Sequence, residues 1–174
     1  MKFALSFSIL LISTAAIAQM PYAGLQTRQI KALSEQQISD LRAGRGMGLA
    51  LPAELNGYPG PSHLLELADQ LGLRPEQRTQ IATMFANMKA EAIPLGERLI
   101  EQEVELEKQF ASRTANQASL EQATASAAKL QGELRAAHLK YHLLTIPVLD
   151  KAQLDRYSEL RGYAQGAPVH QHRH

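Results

Sequence analysis

His138 and His142 stand four residues apart, the spacing that brings two side chains to one side of a helix and lets two imidazoles share one metal ion. Hydrogen-bonded interface histidines use the same spacing. His63 and the alternating His170, His172 and His174 supply further imidazoles, and short histidine-rich tracts take divalent metals, though often weakly. Neutral imidazole is the ligand, so such binding falls away below about pH 6. Glu97, Glu101 and Glu105 recur at four-residue intervals beside Glu103 and Glu107. Like charges so placed repel, which points to a solvated acidic face, a basic partner or a loosely held cation. Met84 and Met88 are also four apart, a pattern that belongs to a helix core more often than to a copper site. With no cysteine in the chain, thiolate nucleophiles, disulfides and Cys-based zinc or iron–sulfur centres are excluded. No Ser/His/Asp set and no facing carboxylate pair stands out, so the reading is of a protein that is not an enzyme.

The frame that must position these groups is bounded by composition. The chain has 174 residues, 18 Lys plus Arg against 17 Asp plus Glu, and 5% aromatics with no Trp. One domain accommodates that length, and the near-zero charge argues against nucleic acid as a partner. A core built from Leu, Ile, Met and Ala suits helices better than sheets. Lys2, the apolar run Phe3 to Ile17 and the small-x-small site Ala16-Ile17-Ala18 form the pattern of a secretory signal peptide over 1–18, cleaved after Ala18. The run is shorter than the roughly 20 residues that span a bilayer. A periplasmic, non-membrane-spanning product is the expectation.

Residues 19–60 mix short helices with turns: Ser34-Glu35-Gln36-Gln37 fits a capping box, and Gly44 ends that helix. Gly44-Arg45-Gly46-Met47-Gly48 has no strand before it and reads as a tight connection instead of a phosphate loop. Asn56 to Pro61 is a dense turn signal, with Pro61 opening a short helix that Gly72 closes. From Pro75, the positions Ile81, Phe85, Met88, Ala92, Leu95, Leu99 and Leu106 form one helical stripe, and Pro94 predicts a kink within it. After a polar connection at Ser112 to Gln117, a second stripe runs through Leu120, Ala123, Ala127, Leu130, Leu134, Ala137, Tyr141, Leu144 and Val148. Two such stripes joined by a turn predict an all-α protein: a long kinked antiparallel α-hairpin over 61–163 with short flanking helices. Asp150-Lys151-Ala152-Gln153 opens a last helix to about Tyr163, and 164–174 is a histidine-rich tail. Apolar residues off the stripes, Ile93, Ile100, Val104, Leu139 and Leu143, are candidates for a client or dimer surface.

Leu73-Arg74-Pro75-Glu76-Gln77 and Leu149-Asp150-Lys151-Ala152-Gln153, each opening a helix of a long exported hairpin, resemble the paired LTxxQ motifs of the Spy/CpxP/ZraP family of periplasmic stress proteins. Leu73, Gln77, Leu149 and Gln153 keep the motif, whereas Arg74 and Asp150 replace its Thr. Asp150 retains the capping chemistry and Arg74 does not. The resemblance implies a curved antiparallel homodimer that holds unfolded envelope proteins without ATP during envelope stress, or that reports to a membrane signalling partner. It also implies an alternative, a sensor or scavenger of zinc, nickel, cobalt or copper in heavy-metal resistance, as in the CnrX-type branch. There, an H-x-x-x-H precedes the first motif and an H-x-x-x-M lies on the later helix. His63 matches the first of these, Leu67 stands where its partner would be, and His138 with His142 matches the later pair. A site of His63, His138 and His142 follows if the short helix before the hairpin packs on the second long helix.

Overall fold

The computed structural model describes residues 22–163. The expected signal peptide with its cleavage after Ala18, and the tail histidines His170, His172 and His174, lie outside the described residues. Among the described residues every regular element is helical: α1 (Glu35–Arg42), α2 (Leu51–Glu54), α3 (Pro61–Glu66), α4 (Pro75–Ala111), α5 (Gln117–Thr145) and α6 (Lys151–Leu160), with 3-10 turns at Leu25–Thr27 and Ile146–Val148. None of these helices is long and apolar enough to cross a membrane.

Local chemistry accounts for most helix starts. Ser34 Oγ accepts from the Gln37 N–H at 3.1 Å while Gln37 Oε1 accepts from the Ser34 N–H at 2.8 Å, a complete capping box at α1. Asp150 and Gln153 form the same box at α6, at 2.9 and 3.1 Å. At α4 only half of it exists. Gln77 Oε1 accepts from the Arg74 N–H at 2.9 Å, and the Arg74 guanidinium, having no acceptor, adds nothing. Pro61 and Pro75 occupy first helical positions, where a missing N–H costs least. The second long helix starts from Asn116, which caps it with Ser119. α4 continues through Pro94 as one helix of 37 residues.

α4 and α5 pack side by side in opposite directions, since Glu91 meets Lys140 (2.6 Å) and Gln77 reaches the Val148 carbonyl (2.7 Å). Two apolar clusters lie along them. One joins Ile30 and Leu41 to Ala92, Leu99, Ile100, Leu130 and Leu134; the other joins Leu64, Ala68, Leu71 and Leu73 to Ile81 and Tyr157. α1 approaches α4 closely because Gly96 has no side chain: a Cβ there would sit 2.7 Å from the Leu41 carbonyl oxygen.

The paired Leu-x-x-x-Gln segments converge on the second cluster. Leu73 is buried in it and Leu149 packs against it. Their glutamines, both buried, exchange reciprocal amide bonds, Gln77 Nε2 to Gln153 Oε1 at 2.9 Å and Gln153 Nε2 to Gln77 Oε1 at 3.1 Å. Each carboxamide therefore caps its own helix and ties it to the other, which joins the start of α4 to the start of α6. Gln77→Ala strands the buried Gln153 amide and the Val148 carbonyl and is expected to cost about 1–3 kcal/mol. Urea unfolding followed by circular dichroism measures it, and an unchanged midpoint would contradict the role given to the pair.

Several expected surface and stripe positions fall elsewhere. Ile100 is buried in the first cluster and Val104 packs against it, so neither belongs to a free face. Ile93 is half-buried against the Gly44 backbone, where a Cβ would meet it at 3.1 Å. Leu139 is half-buried, and of the five only Leu143, 60% exposed, lies open. Leu120 and Leu144, placed on the buried stripe by periodicity, are exposed. Near its C-terminal end the buried side of α5 widens beyond Ala137 and Tyr141 to take in His138, His142 and Thr145. The chain from Gly46 to His63 covers that flank and supplies carbonyls to the polar groups there.

Candidate histidine pocket

α2 and α3, the turn between them and the Gly46–Gly48 connection close over α4 and α5 to leave a pocket of about 260 Å³. Its walls include Met88 from α4, His138 and His142 from α5, His63 from α3 and Glu54 from α2. Along α4, Met88 lies between Ile81 of one apolar cluster and Ala92 of the other, so the pocket sits between the two clusters. The structure therefore brings His63, His138 and His142 to one cavity, with α3 packed against α5. Leu67 is half-buried beside the second apolar cluster and takes no part. His138 and His142 each follow a stripe position, Ala137 and Tyr141, and the structure buries both.

Each imidazole is held differently. His142 Nδ1 lies 2.7 Å from the Tyr58 carbonyl. A carbonyl only accepts, so Nδ1 carries a proton and, in the neutral ring, Nε2 has the lone pair. This is the arrangement by which a backbone carbonyl orients a ligating histidine. One turn on, Thr145 Oγ1 lies 2.7 Å from the Pro59 carbonyl and donates to it, which fastens the Asn56–Pro61 turn to α5. Gly60 lets this turn come close: a Cβ on it would stand 2.8 Å from both Cε1 and Nε2 of His142. His138, 2% exposed, has no hydrogen-bond partner for its buried Nε2, and its ring faces Gly46, where a Cβ would meet Nδ1 at 3.6 Å. Burial, and secondarily the repulsion a protonated His142 would exert, hold the His138 pKa below the ordinary histidine value. A lowered pKa favours the neutral ring, the form a metal ligand needs.

Glu54 is the residue that sequence reasoning missed. Its Oε2 accepts from the Gly60 N–H at 3.2 Å and lies 3.8 Å from His142 Nδ1, while Oε1 lies 3.4 Å from His63 Nδ1. Tyr157, buried in α6, also donates its hydroxyl to Oε1, as does Tyr163 at 3.1 Å, with Arg161 Nε 3.6 Å away. Burial pushes the Glu54 carboxyl up, yet the neighbouring His63 and the Tyr157 and Gly60 donors outweigh it and hold the pKa at about 2. Glu54 is thus a buried anion in a ring of donors. Burial and the Glu54 acceptor push the Tyr157 hydroxyl far above its ordinary value, so it stays a donor. Nothing local marks Glu54 in the sequence, since its partners are 6 to 109 residues away.

Among the described residues, no three His, Asp or Glu side chains converge closely enough to hold a metal ion in the side-chain positions seen. The donor set nonetheless fits one: the buried Nε2 of His138 lacks a partner, the bond at Nδ1 of His142 leaves its Nε2 for a ligand, and His63, whose Nδ1 lies 3.4 Å from Glu54 Oε1, has its Nε2 to offer. A dry pocket does not leave such atoms unpaired without cost. The glutamates of α4 form no comparable site: Glu97 pairs with Arg42, Glu105 with Lys108 and Glu107 with Lys31, while half-burial raises the Glu103 carboxyl pKa. Met84 is half-buried. Comparison with protein-family models, with curated proteins and with solved structures finds no match for this chain.

Proposed function

We propose that this chain is a periplasmic, metal-responsive helical protein that takes one zinc, nickel, cobalt or copper ion at His63, His138 and His142, as a sensor or scavenger in heavy-metal resistance. The observation that carries this reading is the buried, unpartnered Nε2 of His138 on the wall of a cavity it shares with the other two histidines. Three imidazoles beside a thioether and a carboxylate suit borderline divalent ions better than magnesium or calcium. Side-chain adjustment within the pocket is required, and the roughly 260 Å³ of space allows it. His63 belongs to α3 and the other two to α5, so loading holds these helices together and stabilises the fold by mass action. At metal one hundred times above Kd that amounts to about 2.7 kcal/mol. For a chain of this size, the melting temperature is then expected to rise by about 5–10 °C over that in chelator. No rise with any of the four metals would contradict the reading.

A second reading, an ATP-independent holder of unfolded envelope proteins, is favoured by a different observation. Leu143, Leu144, Phe110 and Leu120 are exposed along the hairpin, and isolated exposed leucines are ordinary whereas grouped ones mark contact surfaces. Leu143 and Leu144 beside half-buried Leu139 would form a client face or the seam of a curved homodimer, with Pro94 as the bend. Light scattering of an aggregating client with equimolar protein in chelator tests it. Suppression supports the holder reading, and unchanged scattering contradicts it. A membrane signalling partner suits either reading.

A further inference from the structure

Glu54 belongs to two polar clusters at once. On the pocket side stand His63 and His142; on the other stand Tyr157, Tyr163 and Arg161, from α6 and the turn after it. Four donor groups crowd the single oxygen Oε1, which offers about two good lone-pair directions. They cannot all be satisfied. The tyrosine hydroxyls hold hydrogen bonds to it, and His63 Nδ1, 3.4 Å away, is left without one.

We propose that Glu54 is a positioning residue for which the histidine pocket and α6 compete, so that loading the pocket loosens α6. This rests on the metal reading above. A ligating histidine is oriented by an acceptor at its other ring nitrogen. His142 already has one in the Tyr58 carbonyl; Glu54 Oε1 is the acceptor within reach of His63. Turning the carboxylate toward His63 takes it from Tyr157 and Tyr163, which fasten α6 and the turn after it to α2. Reciprocity then requires that whatever weakens the tyrosine bonds strengthens binding in the pocket by the same factor.

Zinc titration calorimetry on the full chain and on Tyr157→Phe, Tyr163→Phe and Glu54→Gln, with hydrogen exchange of the α6 amides, tests this. Each tyrosine variant loses only a hydroxyl and is expected to bind zinc about 5–10-fold tighter. Glu54→Gln, which loses the charge that orients His63, is expected to bind about 10–100-fold weaker. Zinc is expected to speed α6 exchange in the unaltered chain and not in Glu54→Gln. A purely structural Glu54 would not make tyrosine variants bind more tightly. If the unaltered chain binds zinc but both tyrosine variants bind with equal or lower affinity, the coupling is overturned and the metal reading survives. If the unaltered chain binds no zinc, both fall. Should Glu54→Gln fail to fold, the two tyrosine variants decide the matter.

Discussion

Replacing His138 and His142 together by alanine is expected to erase the rise in melting temperature that zinc, nickel, cobalt or copper produces. The two residues supply the buried Nε2 without a partner and the Nε2 whose lone pair is exposed by the bond to the Tyr58 carbonyl. His63 alone is too weak a site to hold a divalent ion. The variant should also melt lower in chelator, because the Tyr58 carbonyl loses its donor and two buried rings leave space behind, a cost of about 1–3 kcal/mol for the stranded group. The informative quantity is therefore the difference between the metal and chelator melts, not either temperature. A double variant that keeps the full metal-induced rise would remove the pocket from the account. Replacing His170, His172 and His174 by Gln should leave the rise intact, since none of the three is needed to complete the pocket.

Gly60→Ala is the second large effect expected, and it acts by pressing on a ligand instead of removing one. The added Cβ would stand 2.8 Å from both Cε1 and Nε2 of His142, closer than carbon meets carbon or nitrogen in a packed interior. The Gly60 backbone angles, φ −79° and ψ 152°, suit alanine, so the effect is steric and not conformational. His142 cannot simply retreat, because its Nδ1 is bonded to the Tyr58 carbonyl two residues before Gly60. Overpacking of this kind costs about 1–3 kcal/mol in stability. Displacing a ligand from its oriented position should weaken metal binding by about 10–100-fold, the scale seen when an orienting partner is lost. Titration calorimetry and thermal melting on the same sample separate the two losses. Wild-type affinity in Gly60→Ala would show that His142 does not bind metal through the face Gly60 covers.

The frame was legible where it depends on neighbours in the chain. Ser34 with Gln37 and Asp150 with Gln153 announced helix starts that the structure reproduces bond by bond, and Pro75 opened α4 as its position implied. The alternating stripes placed Ile81, Met88, Ala92, Leu99, Leu130 and Leu134 inside correctly. Ala137 and Tyr141 are buried as the stripe requires, but periodicity failed at Leu144, and the reason is physical. A helical repeat tells which residues share a face but not which distant segment covers it. Here, the Gly46–His63 segment lies over the flank, so His138, His142 and Thr145 are buried and Leu144 is left open.

The same limit explains what was found of the site and what was not. His138 and His142 signalled themselves through their spacing, and His63 through its place before the first Leu-x-x-x-Gln segment. Glu54 did not, because its meaning comes entirely from Gly60, His63, Tyr157 and Tyr163 folding around it. Gly60 read as a turn residue, yet what it provides is room beside the His142 imidazole. The reciprocal bonds between Gln77 and Gln153 likewise went beyond the capping role their motifs predict.

The most direct test of the histidine pocket is the stoichiometry of zinc binding to a chain whose tail histidines, His170, His172 and His174, have been changed to Gln. Titration calorimetry at neutral pH, followed by metal analysis after dialysis, gives the number of ions held per chain. The account predicts one zinc per chain, retained through dialysis and lost when His138 and His142 are also replaced. A tail-substituted chain that holds no zinc, or one whose zinc survives the loss of both pocket histidines, would contradict it.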